Sequence, residues 1–445
     1  FDRAQTILAL DSDFLHDHAA SVRYARDYSS VRQGWTEGKR GGRLYAVEST
    51  YTITGGQADH RLALKARDVE GFTRALAVAV GVKDVAGASV MEGERAAWFN
   101  ALVSDLKASR GASIVVPGAH QPPIVHALAH AINEALGNIG ETVVHTEPAI
   151  AEPTNQQASI QTLVEEMRSG AVKTIVFLET NPVFDAPADL DFVAALEQVP
   201  FRVHFGQRDD ETAHYCHWHL PASHALESWG DARAYDGTVT LIQPLIQPLF
   251  ESKPTLEFLA MLDGSGSKGH DLLKSYWKGA LDAPDFERRW RRALHDGILP
   301  GTELAEKTPQ LKSGLGQTEP QTSNGLEVVF RPDPTIWDGR YANNGWLQEL
   351  PKPVTKLTWD NALLVSTQTA SKLGVETHQV ARIELDGRSV EGSVWVVPGH
   401  PNDTITVHLG YGRERAGQVG NGAGFNAFAI RSAKSGLHVA ANARF

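Results

Sequence analysis

The feature that most constrains the fold is a change of rhythm part-way along the chain. Up to about residue 300, short apolar runs alternate with amphipathic stretches. Strands are expected at residues 7–10, 43–47, 113–116, 142–145, 174–178, 201–205 and 238–242, with helices between most of them. Asp68 can cap a helix that runs to Ala79 and stops at Gly81. Another covers 94–109 and is ended by Gly111. Pro122 and Pro123 open a third, which carries Ile124, Leu128, Ile132 and Leu136 on one face and ends at Gly137. Strands alternating with helices indicate parallel, doubly wound α/β layers.

The rhythm then changes. Residues 254–296 read as helices with apolar faces built from Phe258, Leu259, Leu272, Tyr276, Trp277, Phe286 and Trp290. Residues 297–324 are rich in Gly, Pro, Ser, Thr and Lys and read as a connector. Beyond Leu326 the pattern is mainly β. Residues 381–396 alternate apolar and polar side chains on both sides of Asp386-Gly387, a strong hairpin signal, and 404–409 add another strand. The expected division is an α/β domain at 1–110, a second at 111–300, a linker at 301–324 and a β-rich domain at 325–445. A chain of 445 residues has room for about three domains.

Composition excludes several functions. The net charge of −11 disfavours a general nucleic-acid binder, which needs a basic footprint to displace phosphate counterions. No apolar run approaches the roughly 18 residues of a membrane helix, so membrane contact is expected through partners. Cys216 is the only cysteine. One thiol closes no internal disulfide, and alone it holds neither a four-thiolate zinc site nor an iron–sulfur cluster. The chain starts at Phe1 and runs straight into an apolar strand, as expected for a fragment or a processed product.

Several clusters invite a chemical reading. His214, His217, His219 and His224 crowd around Cys216, a set of zinc or copper ligand types. Strand alternation puts His217 and His219 on one face and Cys216 on the other, which favours a structural role. His126, His130 and Glu134 share a helix face, but Ala127 stands where a metalloprotease helix carries its Glu, so a polar helix face is expected. The run from Gly420 to Gly424 lies in the β-rich part and lacks the strand-to-helix context of a dinucleotide loop. The run from Gly264 to Gly269 lacks the Gly-Lys-Ser/Thr ending of a phosphate loop and reads as a connector. Thr180-Asn181-Pro182 follows the strand at 174–178, where open α/β sheets bind ligands, although Asn-Pro is also a common turn pair.

Taken together, these pieces resemble the molybdopterin oxidoreductase superfamily. Within it, the best match is the large subunit of alternative complex III, a quinol-oxidising respiratory complex of bacteria. The most specific segments are Gly118-Ala-His-Gln-Pro-Pro-Ile-Val-His-Ala-Leu-Ala-His130, Ala135-Leu-Gly-Asn-Ile-Gly140 and Glu227-Ser-Trp-Gly-Asp-Ala-Arg-Ala-Tyr-Asp-Gly237. Gln243-Pro-Leu-Ile-Gln-Pro-Leu249, the stretch from Trp346 to Asn361, His408-Leu-Gly-Tyr-Gly-Arg413 and Asn421-Gly-Ala-Gly-Phe-Asn426 belong with them.

The resemblance implies two doubly wound, Rossmann-like α/β domains, both lacking their N-terminal parts, and a C-terminal double-psi β-barrel. It implies a pterin-type cleft that Thr180, Asn181, Pro182, Gly422, Gly424 and Asn426 would border, with no catalytic residue and no metal ligand in this chain. Iron–sulfur clusters would lie in a downstream domain. The implied partners are a quinol-oxidising membrane subunit and a cytochrome c subunit, at the periplasmic face of a bacterial inner membrane.

The departures are as informative. Working members resemble Gly-Ser-Asn-Pro or Gly-x-Asn-Pro after the relevant strands. Here the first strand runs into Asp11-Ser12-Asp13, and two carboxylates would repel a pyrophosphate. The second ends Glu179-Thr180-Asn181-Pro182, keeping the Asn-Pro pair behind an acidic residue. The cleft is therefore expected to be empty and the chain to serve as a scaffold for electron-transfer subunits. The competing expectation is an active molybdopterin-dependent oxidoreductase whose metal ligand and iron–sulfur motif lie upstream of Phe1.

Overall fold

The computed structural model describes residues 1–34, 41–88, 90–312, 314 and 325–445. Contacts divide the chain into two compact units. The first comprises Phe1–His145, Lys307–Gly412 and Gly422–Phe445, and the second Thr146–Glu306 and Arg413–Asn421.

The first unit opens with β1 (Thr6–Leu10), α1 (Ser21–Gln33), β2 (Arg43–Glu48), α2 (Ile53–Gln57) and β3 (His60–Ala63). α3 (Asp68–Val80), α4 (Gly93–Ala108), β4 (Ser113–Pro117) and α5 (Pro123–Ala135) follow. The four strands form a fully parallel sheet in the order β3-β2-β1-β4. Side chains of a strand alternate between faces, and here both faces are dry. Leu8, Leu10, Tyr45 and Val47 pack against Phe72, Leu76, Leu102, Val125, Leu128 and Ile132 of the helices. Ile7, Ala9, Leu44 and Ala46 face the other way, onto Phe14 and Tyr28. Coverage on both faces explains why these strands read as nearly continuous apolar runs. α3 ends where expected, with Gly81 left-handed at φ 101°.

The same unit contains a six-stranded mixed sheet. Its order is Val380–Leu385, Arg388–Val396, Ala362–Val365, Thr404–His408, Leu326–Arg331 and Val439–Ala443. The two edge strands meet through a bridge between Glu384 and Arg444, so the sheet curls back on itself. The Asp386-Gly387 turn forms as the sequence indicates, with φ of 51° and 75°. Pairing through Leu385 and Arg388 then runs antiparallel from there.

In the second unit, Thr174–Leu178, Phe201–Gly206 and Trp218–Pro221 form a parallel sheet. Phe177, Phe192, Leu196, Val164 and Met167 bury one side of that layer. The strand Val239–Ile242 departs from the expected alternation, because it pairs antiparallel with Gly230–Arg233 and with Ile298–Leu299. Leu273, Trp277, Phe286 and Trp290 pack against it.

The domain limits also differ from those the sequence suggests. The boundary expected near residue 110 falls just before β4, yet β4 pairs with β1 from Thr6↔Ser113 to Leu10↔Pro117. The first α/β layer therefore runs on through α5. The strands at 325–445 group with residues 1–145 and not apart from them. Part of the expected linker at 301–324 is tied down: Thr302 is buried, and its Oγ1 accepts the Val239 N–H. Residues 313 and 315–324 of that linker lie outside the described residues.

Candidate functional site

The carboxyl ends of β1, β2 and β4 point the same way. The chain passes from β1 to β2 and β3 on one side and returns to β4 on the other, so the strand order reverses between β1 and β4. Open α/β sheets bind ligands in the crevice at such a point. A cavity of about 510 Å³ lies there, a volume typical of small-molecule sites. The turns after β1 and β2 contribute Asp11, Asp13, Thr50 and Thr52, and the turn after β4 contributes Gly118 and His120. His126, His130 and Asn133 come from α5, and Arg331, Lys352, Leu364 and His408 complete the wall.

A densely hydrogen-bonded feature of this wall is Asp11. It is buried and holds a left-handed φ of 52°, a conformation that favours glycine. Its Oδ1 accepts the Ser49 N–H at 2.8 Å, and the Ser49 hydroxyl reaches both oxygens at 3.0 and 2.8 Å. Its Oδ2 accepts the Gln121 amide at 2.8 Å and the Arg331 guanidinium at 2.9 Å. The His120 Nε2 stands 2.8 Å from that oxygen and 2.8 Å from Arg331 Nη2. Burial alone would raise the carboxyl pKa, but Arg331 and His120 outweigh it and hold Asp11 well below the usual carboxylate range. Burial and the nearby guanidinium lower the His120 pKa, which keeps the ring neutral. Asp13 is different. Burial raises its pKa while it accepts the Thr54 N–H at 2.9 Å and the Thr54 hydroxyl at 2.7 Å.

The two carboxylates expected to repel a pyrophosphate are both engaged by partners within the chain. Asp11 is neutralised from inside, and Asp13 is folded into a turn. The donors that converge here are engaged by the Asp11 carboxylate.

Elsewhere on the wall, the Lys352 ammonium donates to the Tyr411 hydroxyl at 2.8 Å and lies 3.6 Å from Asp333. Burial lowers the Lys352 pKa. His126 and His130, expected as a polar helix face, line the cavity instead. His130 Nδ1 lies 3.0 Å from His145 Nε2. His408 is also on the wall, and burial lowers its pKa. Among the described residues, no three His, Cys, Asp or Glu side chains converge as a metal site would require.

In the second unit, the turn after Thr174–Leu178 places Glu179 at φ 53°. It follows its strand just as Asp11 follows β1. Asn181 Oδ1 accepts the Thr212 N–H at 3.0 Å and the Thr212 hydroxyl at 2.7 Å, and its amide donates to Glu211 at 2.7 Å. Arg413 grips Glu211 through Nε and Nη2 at 2.7–3.1 Å. Burial raises the Glu211 pKa, but Arg413 outweighs it and carries the group down to about 2.

No protein-family model matches the chain. It is 26 % identical over 278 residues to the menaquinone reductase molybdopterin-binding-like subunit of Nitratidesulfovibrio vulgaris, covering 58 % of this chain. It is 23 % identical over 289 residues to the thiosulfate reductase molybdopterin-containing subunit PhsA of Salmonella typhimurium, covering 54 % of this chain. Each match spans 38 % of the relative's length. The fold matches acetylene hydratase from Pelobacter acetylenicus with a TM-score of 0.67, at 11 % identity, over 99 % of this chain and 78 % of that one.

In sequence and in fold the chain is thus similar to molybdopterin oxidoreductases. Of the residues expected to border a pterin-type cleft, Asn181, Pro182, Gly424 and Asn426 make local structural contacts. Asn181 is committed to residues 211 and 212, and Pro182 opens the short helix Pro182–Asp185 beside the exposed Thr180. In the other unit, Gly424 packs against Asn361 and Tyr411, where a Cβ would meet Asn361 Oδ1 at 2.5 Å. Asn426 caps the turn Ala427–Ile430 by accepting the Phe428 N–H at 2.9 Å, and Gly422 faces open space. None of Gly422, Gly424 and Asn426 is among the residues lining the cavity of their unit.

Three histidines of the cluster around Cys216 make local contacts. His217 Nδ1 accepts the Arg202 N–H, His219 Nδ1 meets His204 Nδ1 at 2.9 Å, and His224 caps the turn Ala225–Glu227. Burial pushes the Cys216 thiol up to about 11. Arg331 and Ser49 carried no signal in the sequence, and Gln121 stood out only as part of the segment 118–130, because each matters through Asp11.

Proposed function

We propose that this chain is a molybdopterin-oxidoreductase-like scaffold segment of a membrane-associated quinol:acceptor oxidoreductase, with no molybdopterin bound in this stretch. The observation that carries the reading is Asp11. A phosphate placed at the end of β1 needs free donors and a close backbone approach. Here Ser49, Gln121, His120 and Arg331 all point at a carboxylate of the chain itself. These residues do not fit a pterin phosphate. Glu179 repeats the substitution of an acid for glycine at the second strand end, with φ of 53°.

The name of the first relative, a molybdopterin-binding-like subunit of a menaquinone reductase, supports a subunit role in quinone chemistry. In the proposed assembly, a quinol-oxidising membrane subunit and a cytochrome c subunit dock on this protein at the periplasmic face of a bacterial inner membrane. Iron–sulfur clusters in another part of the polypeptide carry the electrons, as in alternative complex III. No helix among the described residues is long and apolar enough to cross a membrane; in the proposed assembly attachment runs through those partners.

Metal analysis and pterin fluorescence of the purified full-length subunit test the proposal. The expected result is less than about one tenth of an equivalent of molybdenum or tungsten, and stoichiometric metal with pterin overturns it. The second reading is an active molybdopterin enzyme, favoured by the second relative, a molybdopterin-containing subunit, and by the retained Asn181-Pro182. A four-cysteine cluster motif upstream of Phe1 supports that alternative.

A further inference from the structure

We infer that Asp11 is the resident ligand of an oxyanion receptor, so that the protein closes its own anion site from within. The inference rests on the reading that no cofactor phosphate occupies the end of β1.

The receptor is defined by its donors. One main-chain N–H, one hydroxyl, one side-chain amide and one guanidinium converge on the two oxygens of Asp11 at 2.8–3.0 Å. Such a set, with a buried fixed cation, is how proteins bind carboxylates and phosphates from solution. The donors come from three separate parts of the chain: the turn after β2, the turn after β4 and the strand Leu326–Arg331. Asp11 belongs to none of these; it enters from the turn after β1, by a single Cα–Cβ bond from a left-handed backbone.

The consequence concerns the cavity beside it. Arg331 lines that cavity and would be its natural anchor for an anionic ligand. With the Asp11 carboxylate 2.9 Å away, the guanidinium has no charge to offer. Lys352, the other cation on the wall, is engaged by Tyr411 and Asp333. The cavity thus discriminates against anions, and Asp11 is the switch that makes it so.

Asp11→Gly removes the resident carboxylate and leaves a backbone that glycine adopts without strain. The full-length subunit carrying Asp11→Gly is expected to lose stability in chloride. It should regain it in acetate or inorganic phosphate at equal ionic strength, with a melting temperature at least about 3 °C higher than in chloride. Acetate acting alone marks a receptor shaped for a planar carboxylate, and phosphate acting alone marks a tetrahedral one; either supports the inference. Wild type should show only the smaller, general salt effect, and Asp11→Gly/Arg331→Gln should lose the additional response. A folded Asp11→Gly that does not distinguish the salts overturns the inference, as does an equal response in wild type. If Asp11→Gly does not fold in chloride, refolding on addition of acetate or phosphate supports it. If it folds in no salt, Asp11→Ala is read by the same criteria, and failure of both to fold in any salt overturns it. Molybdenum and pterin content are not read in this experiment, so its failure is distinct from failure of the scaffold proposal.

Discussion

Asp11 and Arg331, 320 positions apart in the sequence, form an ion pair at 2.9 Å with side-chain exposures of 2 % and 9 %. The pair ties the first parallel sheet to the six-stranded sheet inside one unit. Breaking a buried pair from one side leaves an uncompensated charge, which costs about 3–5 kcal/mol. Arg331→Met is therefore expected to lower the unfolding free energy by about that amount. Urea denaturation at pH 7 measures it, and a loss below about 1 kcal/mol counts against the pair.

The same pair sets an acid limit. The folded-state pKa of Asp11 lies below the ordinary value of about 3.9. A depressed carboxylate contributes stability that is present above the unfolded pKa and lost as pH falls through the folded one. Wild type should therefore lose stability below about pH 4 through this group, and Asp11→Asn should show a shallower loss over the same window. Denaturant midpoints at pH 5 and pH 3 check this, and equal slopes refute it.

Glu48, at the end of β2, carries the opposite sign. It is 2 % exposed, and burial pushes its carboxyl up to about 7 against the pull of Arg61. The folded protein then binds more protons than the unfolded one between about pH 4.5 and 7, so this group lowers stability as pH rises across that range. The total effect is about 3 kcal/mol. Glu48→Gln should flatten the decline between pH 5 and 8 in thermal melts. An unchanged slope would show that Arg61 keeps the carboxylate ionised throughout.

Glu211 and Arg413 hold their own unit together in the same way, with exposures of 11 % and 8 %. Arg413→Met leaves Glu211 with only the Asn181 amide and the N–H groups of Glu414 and Arg415. A loss of about 3 kcal/mol is expected at pH 7. It should fade as pH drops from about 4.5 toward 2, because the unfolded chain takes up the Glu211 proton over that range while the folded protein does so only near 2. Limited proteolysis across that pH range reads the effect within residues 146–306, and protection equal to wild type at pH 7 counts against it.

Cys216 should be unreactive. Its thiol, raised from 9.0 to about 11 by burial, offers roughly 100-fold less thiolate at pH 8 than an ordinary cysteine. Alkylation of the native protein should be slower than that of the urea-unfolded protein by about that factor. Equal rates would show an exposed, ordinary thiol.

The sequence by itself determined what depends on neighbouring residues. The rhythm of apolar runs located most strands, the glycine after Val80 stopped α3, and Asp386-Gly387 turned its hairpin, because these choices are made within a few bonds of one another. Set beside the family resemblance, it also flagged Asp11, Asp13 and Glu179 as acids at strand ends. The tertiary structure decided what those acids do. Repulsion of a ligand was the natural inference from charge alone, but a carboxylate's effect depends on which donors surround it. For Asp11 those donors arrive from Ser49, Gln121 and Arg331, brought together only when distant strands pair. β4 joined β1 for the same reason. Parallel pairing is a contact between remote segments, and no local pattern states which segments will meet.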